Sequence, residues 1–173
     1  MPSAYIALGT NIPFNGLSGL ALLLQAVPAL EAARFQTLAR SSVWQTEAWP
    51  PDSGQADYFN AVVEIDPGSV EPQRLYEALR GVEAQFGRER RERWAARTLD
   101  LDIVAMGNFV GVFGEVVLPH PRMHERPFVL APLAEIAPNW RHPTLGANVG
   151  ELLSATGGQT RLKRVAPLCT SAP

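Results

Sequence analysis

The stretch RTLDLDIVAM, residues 97–106, places two aspartates inside a short apolar run. Side chains alternate between the two faces of a β-strand, so the stretch predicts Leu99 and Leu101 on a core face and Asp100 and Asp102 together on the opposite face. The two carboxylates would then lie about 6–7 Å apart at their Cα atoms. Like charges this close repel each other unless water or a cation screens them. The pattern therefore leaves two interpretations open: a solvated strand edge, or a site for a hard divalent cation.

The segment immediately before the aspartates is strongly basic. GRERRERWAAR, residues 87–97, holds five arginines against two glutamates, a net charge of +3, in a chain whose formal net charge is −2. Such charge runs are usually solvated loops or helix ends. Arginines beside a carboxylate pair also suit a polyphosphate carried by Mg²⁺, because guanidinium groups bind the oxygens that the metal leaves free. Trp94 lies inside this run and could stack on a flat ring, so the segment favours the cation interpretation.

A second polar cluster, HPRMHERPF, covers residues 120–128. His120 and Arg126 suit a wall that binds phosphate, whereas two histidines four residues apart in a proline-broken loop are a weak zinc signal. The glycine-rich signatures G-x-x-x-x-G-K-[ST] and G-x-G-x-x-G do not occur in the sequence. Any nucleotide would therefore be held by scattered arginines and a metal.

Length and composition limit the possible classes of protein. The 173 residues are 46% hydrophobic and 18% charged, which suits one folded domain with a core. A protein that mainly binds nucleic acid would be basic, so we expect no nucleic-acid partner. The single cysteine, Cys169, fits a reducing compartment. Since no secretory signal and no membrane-spanning run is present in the sequence, we expect a soluble cytoplasmic protein.

Strand-like and helical patterns alternate along the chain, which predicts an α+β fold with its chemistry on loops. We expect residues 1–160 to form one domain and residues 161–173 to form a C-terminal tail. Strands are predicted at residues 4–8, 35–46, 58–65 and 97–106. Helices are predicted from about residue 16 until Pro28, from Pro72 until Gly87, and over residues 128–136 and 149–155.

Together these segments resemble the 6-hydroxymethyl-7,8-dihydropterin pyrophosphokinase family of folate biosynthesis. The resemblance covers roughly residues 4–138 and runs through YIALGTN (5–11), SSVWQTEAW (41–49), DYFNAVVEI (57–65), VEAQFGRERRERWAARTLDLDI (82–103) and LPHPRMHERPFVLAPLAEIAP (118–138). It implies a ferredoxin-like three-layer αβα sandwich with a central antiparallel sheet. It also implies transfer of pyrophosphate from ATP to the hydroxymethyl group of the pterin, release of AMP, a monomer and two Mg²⁺ ions.

The resemblance also implies a role for individual residues. Asp100 and Asp102 would bridge both metal ions, and the catalytic arginines would be Arg88, Arg90 and Arg97. ATP would meet Glu83, Arg97, Ile103, the backbone of Val116 and Val117, His120 and Arg126. The pterin would meet Gly9, the backbone near Glu47, Ala48 and Trp49, and the side chains of Tyr58, Asn60, Trp94 and Phe128.

The sequence departs from the family pattern in a few places. Thr10 stands where serine is usual, and Ala48-Trp49 replaces a more proline- or leucine-like pair whose contacts would come largely from the backbone. Ala95-Ala96 replaces the usual Gly-Pro before Arg97, a pair that would shape the turn at the end of the loop 88–97. The implied metal and phosphate residues are all present, which indicates an active enzyme.

Other interpretations stay open on the residues alone. Tyr58 and Phe128 could be core aromatics, Asn60 could satisfy a strand end, Glu83 could be solvated, and Trp94 could cover a core edge. The Arg/Trp loop could belong to a module for single-stranded RNA, although such modules display their stacking aromatics on strands. A D-x-D pair also occurs in nucleotidyltransferases, usually with a Gly-Ser turn close before it, and this chain has no such turn there.

Overall fold

The computed structural model describes residues 3–48, 54–87, 98–157 and 161–169. Within these residues the strands are β1 Ala4–Thr10, β2 Gln36–Arg40, β3 Ser42–Thr46, β4 Tyr58–Asp66, β5 Asp100–Met106, β6 Gly111–Phe113, β7 Val116–Leu118 and β8 Leu162–Pro167. The helices are α1 Gly19–Ala32, α2 Pro72–Gln85, α3 Pro127–Ile136 and α4 Val149–Ala155. Among these helices, none combines the length and apolar character that a membrane crossing requires.

The central feature is an antiparallel sheet with helices on both faces. Its strand order is β5-β1-β4-β3-β8, and β2 pairs with a further part of β4. Along β1, Ile6 and Leu8 point into the core shared with α1 and α2, while Tyr5 and Ala7 point into the core shared with α3 and α4. The sheet is thus the middle of three layers, which confirms the expected ferredoxin-like sandwich.

The two long helices differ in how well the sequence predicted them. The helix predicted from Pro72 is confirmed as α2, with the proline in its first turn. Gly87 follows with φ +71°, and a Cβ there would run into the ring of Phe14. The predicted end of α1 at Pro28 is wrong, because the helix continues to Ala32. Leu30 beyond the proline is fully buried, and this burial keeps the chain helical past a residue that lacks a backbone donor.

Two further expectations needed correction at the far side of the sheet. Residues 35–46 form two strands, β2 and β3, that break at Ser41, whose hydroxyl accepts the N–H of Val62 at 2.9 Å. The hydroxyl replaces a ladder bond, so both strands stay paired with β4. Part of the expected C-terminal tail is the edge strand β8, which pairs with β3. Leu168, which is 1% exposed, anchors its end.

Candidate active site

One row across the sheet brings two groups of predicted site residues together. Gly9 on β1 lies directly opposite Asp100 on β5 and directly opposite Asn60 on β4. All three residues point to the face that α3 covers, since their strands alternate with the core residues on the other face. A Cβ on Gly9 would lie 3.4 Å from Asn60 Oδ1 and 4.0 Å from Asp100 Cβ. The predicted metal strand and the predicted pterin-reading amide are therefore only two strand spacings apart, about 10 Å at the backbone.

The carboxylate of Asp102 lies between two guanidinium groups. Its Oδ1 is 4.0 Å from Arg80 Nη2, and its Oδ2 is 3.7 Å from Arg126 Nη1. The side chain is 36% exposed, so its oxygens remain within reach of a ligand. Asp100 is also half-buried on the same face. The charge of Asp102 is thus offset by one arginine from α2 and by another immediately before α3.

The donor set of this strand fits a hard cation that carries a substrate. The described residues contain no group of three or more His, Cys, Asp or Glu side chains that could enclose a metal. Two carboxylates on one strand face instead match the usual coordination of Mg²⁺, which binds one or two carboxylates and takes its other ligands from water and substrate phosphates. Asp100 and Asp102 therefore suit a metal that arrives with a polyphosphate.

Arg126 joins the predicted phosphate wall to the metal strand. Its Nη1 lies 3.4 Å from His120 Nε2, and its guanidinium lies over the ring of Phe128 at 5.8 Å from the centroid. Burial lowers the pKa of His120, the charge of Arg126 lowers it further, and Asp102 opposes both. The backbone N–H of His120 donates to the Val104 carbonyl at 2.8 Å, which fixes this loop to β5. Burial and the charge of Arg126 thus favour the neutral form of the His120 ring, and Asp102 favours the charged form.

Glu83 is buried beside strand β5 and binds other groups of the protein. Its side chain is 2% exposed and forms an ion pair with Arg80 at 2.8 Å. Its Oε1 accepts the backbone N–H of Leu101 at 2.6 Å, between the two aspartates. The solvated alternative for Glu83 is therefore wrong, and the predicted contact between Glu83 and ATP stays a prediction.

Sequence reasoning missed two residues of the site, Arg80 and Thr46. Arg80 lies three residues before Glu83 on the same helix, a spacing that could have indicated an ion pair. Thr46 Oγ1 accepts a hydrogen bond from Asn60 Nδ2 at 3.1 Å, and both residues are buried. No signal in the sequence joins these two, because the register of β3 against β4 brings them together.

The predicted pterin residues that the structure describes lie at one end of the sheet. Tyr58 and Asn60 share a face of β4, and Phe128 lies in the first turn of the helix that covers this face. Ala48 is buried after β3, while Glu47 is exposed with Oε1 3.8 Å from Arg161 Nη1. The residues around Asn60 can therefore line one slot.

The residues predicted to line the adenine differ in how far their side chains are exposed. Ile103 and Val116 have their side chains in the core shared with α1 and α2, so only their backbones could meet a ligand. Val117 is 41% exposed. Five predicted site residues, Trp49, Arg88, Arg90, Trp94 and Arg97, lie outside the described residues, as does Ala95-Ala96.

Comparison with known proteins gives a consistent result. A family model described as 7,8-dihydro-6-hydroxymethylpterin-pyrophosphokinase (HPPK) matches residues 5–138. A protein of Synechocystis sp. named 2-amino-4-hydroxy-6-hydroxymethyldihydropteridine pyrophosphokinase is 38% identical over 152 residues, which is 87% of this chain and 74% of that protein. A Bacillus subtilis protein of the same name is 41% identical over 134 residues, 77% of each chain.

Solved structures add a likeness of fold. A crystal structure of HPPK-DHPS in complex with substrates has a TM-score of 0.66 at 12% identity over 89% of this chain. Wild-type Plasmodium falciparum HPPK-DHPS has a TM-score of 0.68, also at 12% identity over 89% of this chain. The chain spans 43% and 41% of the length of those two chains.

Proposed function

The chain belongs to the 7,8-dihydro-6-hydroxymethylpterin-pyrophosphokinase family, and we propose that its active site is formed by the aspartates of β5, by Arg126 with His120, and by the slot around Asn60. The enzyme is a 2-amino-4-hydroxy-6-hydroxymethyldihydropteridine pyrophosphokinase of folate biosynthesis. It transfers pyrophosphate from ATP to the hydroxymethyl group of 6-hydroxymethyl-7,8-dihydropterin, and AMP leaves. The row Asp100–Gly9–Asn60 carries the proposal, because Asn60, proposed for the pterin, lies only two strands from Asp100, proposed for the metal.

Asp100 and Asp102 would hold the metal, which we propose to be two Mg²⁺ ions that neutralise the polyphosphate and polarise the attacking hydroxyl when bound. Both carboxylates face the same side of β5, and Asp102 is partly exposed. The metal-binding residues are thus fixed on a strand, and a rigid element positions ligands better than a loop does.

Arg126 and His120 would bind the phosphates. The Arg126 guanidinium lies 3.7 Å from Asp102, close enough to reach an oxygen of a phosphate that the aspartates hold. Its position on the Phe128 ring limits its freedom, which reduces the entropy lost when it stabilises developing charge. Arg88, Arg90 and Arg97 would add further positive charge, and the backbone near Ile103, Val116 and Val117 would meet the adenine.

The pterin would lie over Gly9 with its hydrogen-bonding edge at Asn60. The absence of a side chain at Gly9 leaves room beside the Asn60 amide, and Thr46 fixes that amide by accepting one of its hydrogens. Tyr58 and Phe128 would line the slot, and Trp94 would close over the ring. The backbone near Glu47, Ala48 and Trp49 would complete the edge, and orientation would supply much of the acceleration.

Three further properties are part of the proposal. A monomer suffices, because the proposed residues all come from one chain. The slightly acidic composition supports a partner list of ATP and the pterin without nucleic acid or membrane. The single, exposed Cys169 supports a cytoplasmic location.

The test is product analysis with purified protein, ATP, Mg²⁺ and 6-hydroxymethyl-7,8-dihydropterin. We expect AMP one-for-one with pterin diphosphate, and we expect Asp100→Asn and Asp102→Asn each to lower the rate at least 100-fold. Glu31→Gln, an exposed carboxylate on α1, is the matched control and should keep the wild-type rate. Formation of ADP or free diphosphate, or an undiminished rate in the aspartate variants, would contradict the proposal.

A further inference from the structure

Helix α2 carries two ion pairs with the same spacing and different surroundings. Arg74 and Glu77 lie 2.7 Å apart, with side chains 76% and 46% exposed. Arg80 and Glu83 lie 2.8 Å apart, with side chains 21% and 2% exposed. The first pair is therefore in solvent, and the second is packed against the protein.

The packed pair closes the open edge of β5. β5 is the edge strand of the described sheet, so its backbone groups that point away from β1 need other partners. At Leu101, Glu83 Oε1 accepts the N–H and Arg80 Nη2 donates to the carbonyl. Since Leu101 lies between Asp100 and Asp102, the ion pair holds the strand at the residue that sets the direction of both carboxylates.

The guanidinium of Arg80 is itself fixed on several sides. It lies over the ring of Tyr76 at 4.8 Å from the centroid, in addition to its bonds with Glu83 and Leu101. In this position its Nη2 is 4.0 Å from Asp102 Oδ1. Arg80 thus contributes a fixed positive charge and a fixed backbone contact beside the same carboxylate.

We propose that Arg80 is a positioning residue for pyrophosphoryl transfer, acting with Glu83 through the backbone of Leu101 to fix the placement of Asp100 and Asp102. The inference rests on the proposed function, which makes these aspartates the metal ligands. A misplacement of about 1 Å in a reacting assembly can cost up to about 100-fold in rate. Glu83 then acts through the strand and needs no contact with the nucleotide.

The test removes the whole pair at once. The double variant Arg80→Met/Glu83→Met replaces both members of the ion pair by apolar side chains, so neither is left buried without the other and the protein should still fold. We expect its kcat to fall about 10- to 100-fold at saturating ATP, pterin and Mg²⁺. The matched control Arg74→Met/Glu77→Met should stay within about twofold of wild type, because that pair is exposed. The single variant Arg80→Lys keeps Glu83, and its kcat should lie between those of the double variant and the wild type. One ammonium cannot serve Glu83, Leu101 and Asp102 together.

A second measurement does not depend on activity. Hydrogen exchange of the Leu101 amide, followed by NMR without substrates, should be faster in the Arg80→Met/Glu83→Met variant and unchanged in the Arg74→Met/Glu77→Met control. The proposal is overturned if the packed-pair variant keeps kcat within twofold of wild type, or if its Leu101 amide exchanges at the wild-type rate. A wild-type protein that makes no AMP would overturn the proposed function instead, and the exchange rates would then decide only whether Arg80 and Glu83 hold the backbone of Leu101.

Discussion

Replacement of Gly9 by alanine should have opposite effects on stability and on pterin binding. The new Cβ would lie 3.4 Å from Asn60 Oδ1 and 4.0 Å from Asp100 Cβ, which are ordinary van der Waals distances. The methyl group therefore fits the sheet. Alanine in place of a strand glycine recovers about 0.5–1 kcal/mol of backbone entropy, which raises Tm by about 1–4 °C for a chain of this size.

The same methyl group occupies the space that we assign to the pterin ring. A well-fitted site that must accept one extra methyl group loses about 1–3 kcal/mol, and each 1.4 kcal/mol is a factor of ten. We therefore expect KM for the pterin to rise about 5- to 150-fold. KM for ATP should stay within about twofold, because His120 and Arg126 are untouched.

Steady-state kinetics, with each substrate varied in turn, and thermal melts test this expectation. Gly81→Ala on α2 is the control, since a Cβ at Gly81 would meet nothing within 4 Å; it should raise Tm without changing either KM. A Gly9→Ala enzyme with a raised Tm and an unchanged pterin KM would show that the pterin does not lie over Gly9. A fall in Tm would refute the packing argument.

Two further predictions concern buried polar groups. Thr46→Val removes the acceptor of the Asn60 amide and should lower the free energy of unfolding by about 1–3 kcal/mol and raise the pterin KM, with Thr46→Ser close to wild type in urea unfolding and kinetics. Burial, then the charge of His124, lowers the pKa of His142. The unfolded chain therefore binds more protons, and the stabilisation present above pH 6.5 is lost as pH falls through the lowered pKa. His142→Gln should lose less unfolding free energy between pH 7.5 and 5.5 than wild type, and an equal loss would contradict this reasoning.

Features that depend on one element were predictable from the sequence. The period of two in residues 97–106 gave the buried Leu99 and Leu101 and the partly exposed Asp100 and Asp102. The proline that begins α2 and its apolar stripe were equally local. The contact between Gly9 and Asn60 was not local, because it depends on which strand lies beside β1 and in which register. Strand order and register arise from the packing of the whole chain. A family resemblance could therefore name Gly9 as a pterin residue, but the residues alone could not show that Gly9 lies beside Asn60.

The two ion pairs of α2 show where local reasoning ends. Arg74–Glu77 and Arg80–Glu83 have the same residue types at the same spacing, and a helical pattern predicts the same few tenths of a kcal/mol for each. Their difference comes from β5, which lies at the edge of the described sheet, so that Leu101 has no strand partner on that side among the described residues. Because the sheet edge creates the need for a donor and an acceptor, the position of Arg80 and Glu83 on α2 becomes meaningful only once the topology is known. Glu83 would therefore stabilise this strand even if no nucleotide ever touched it.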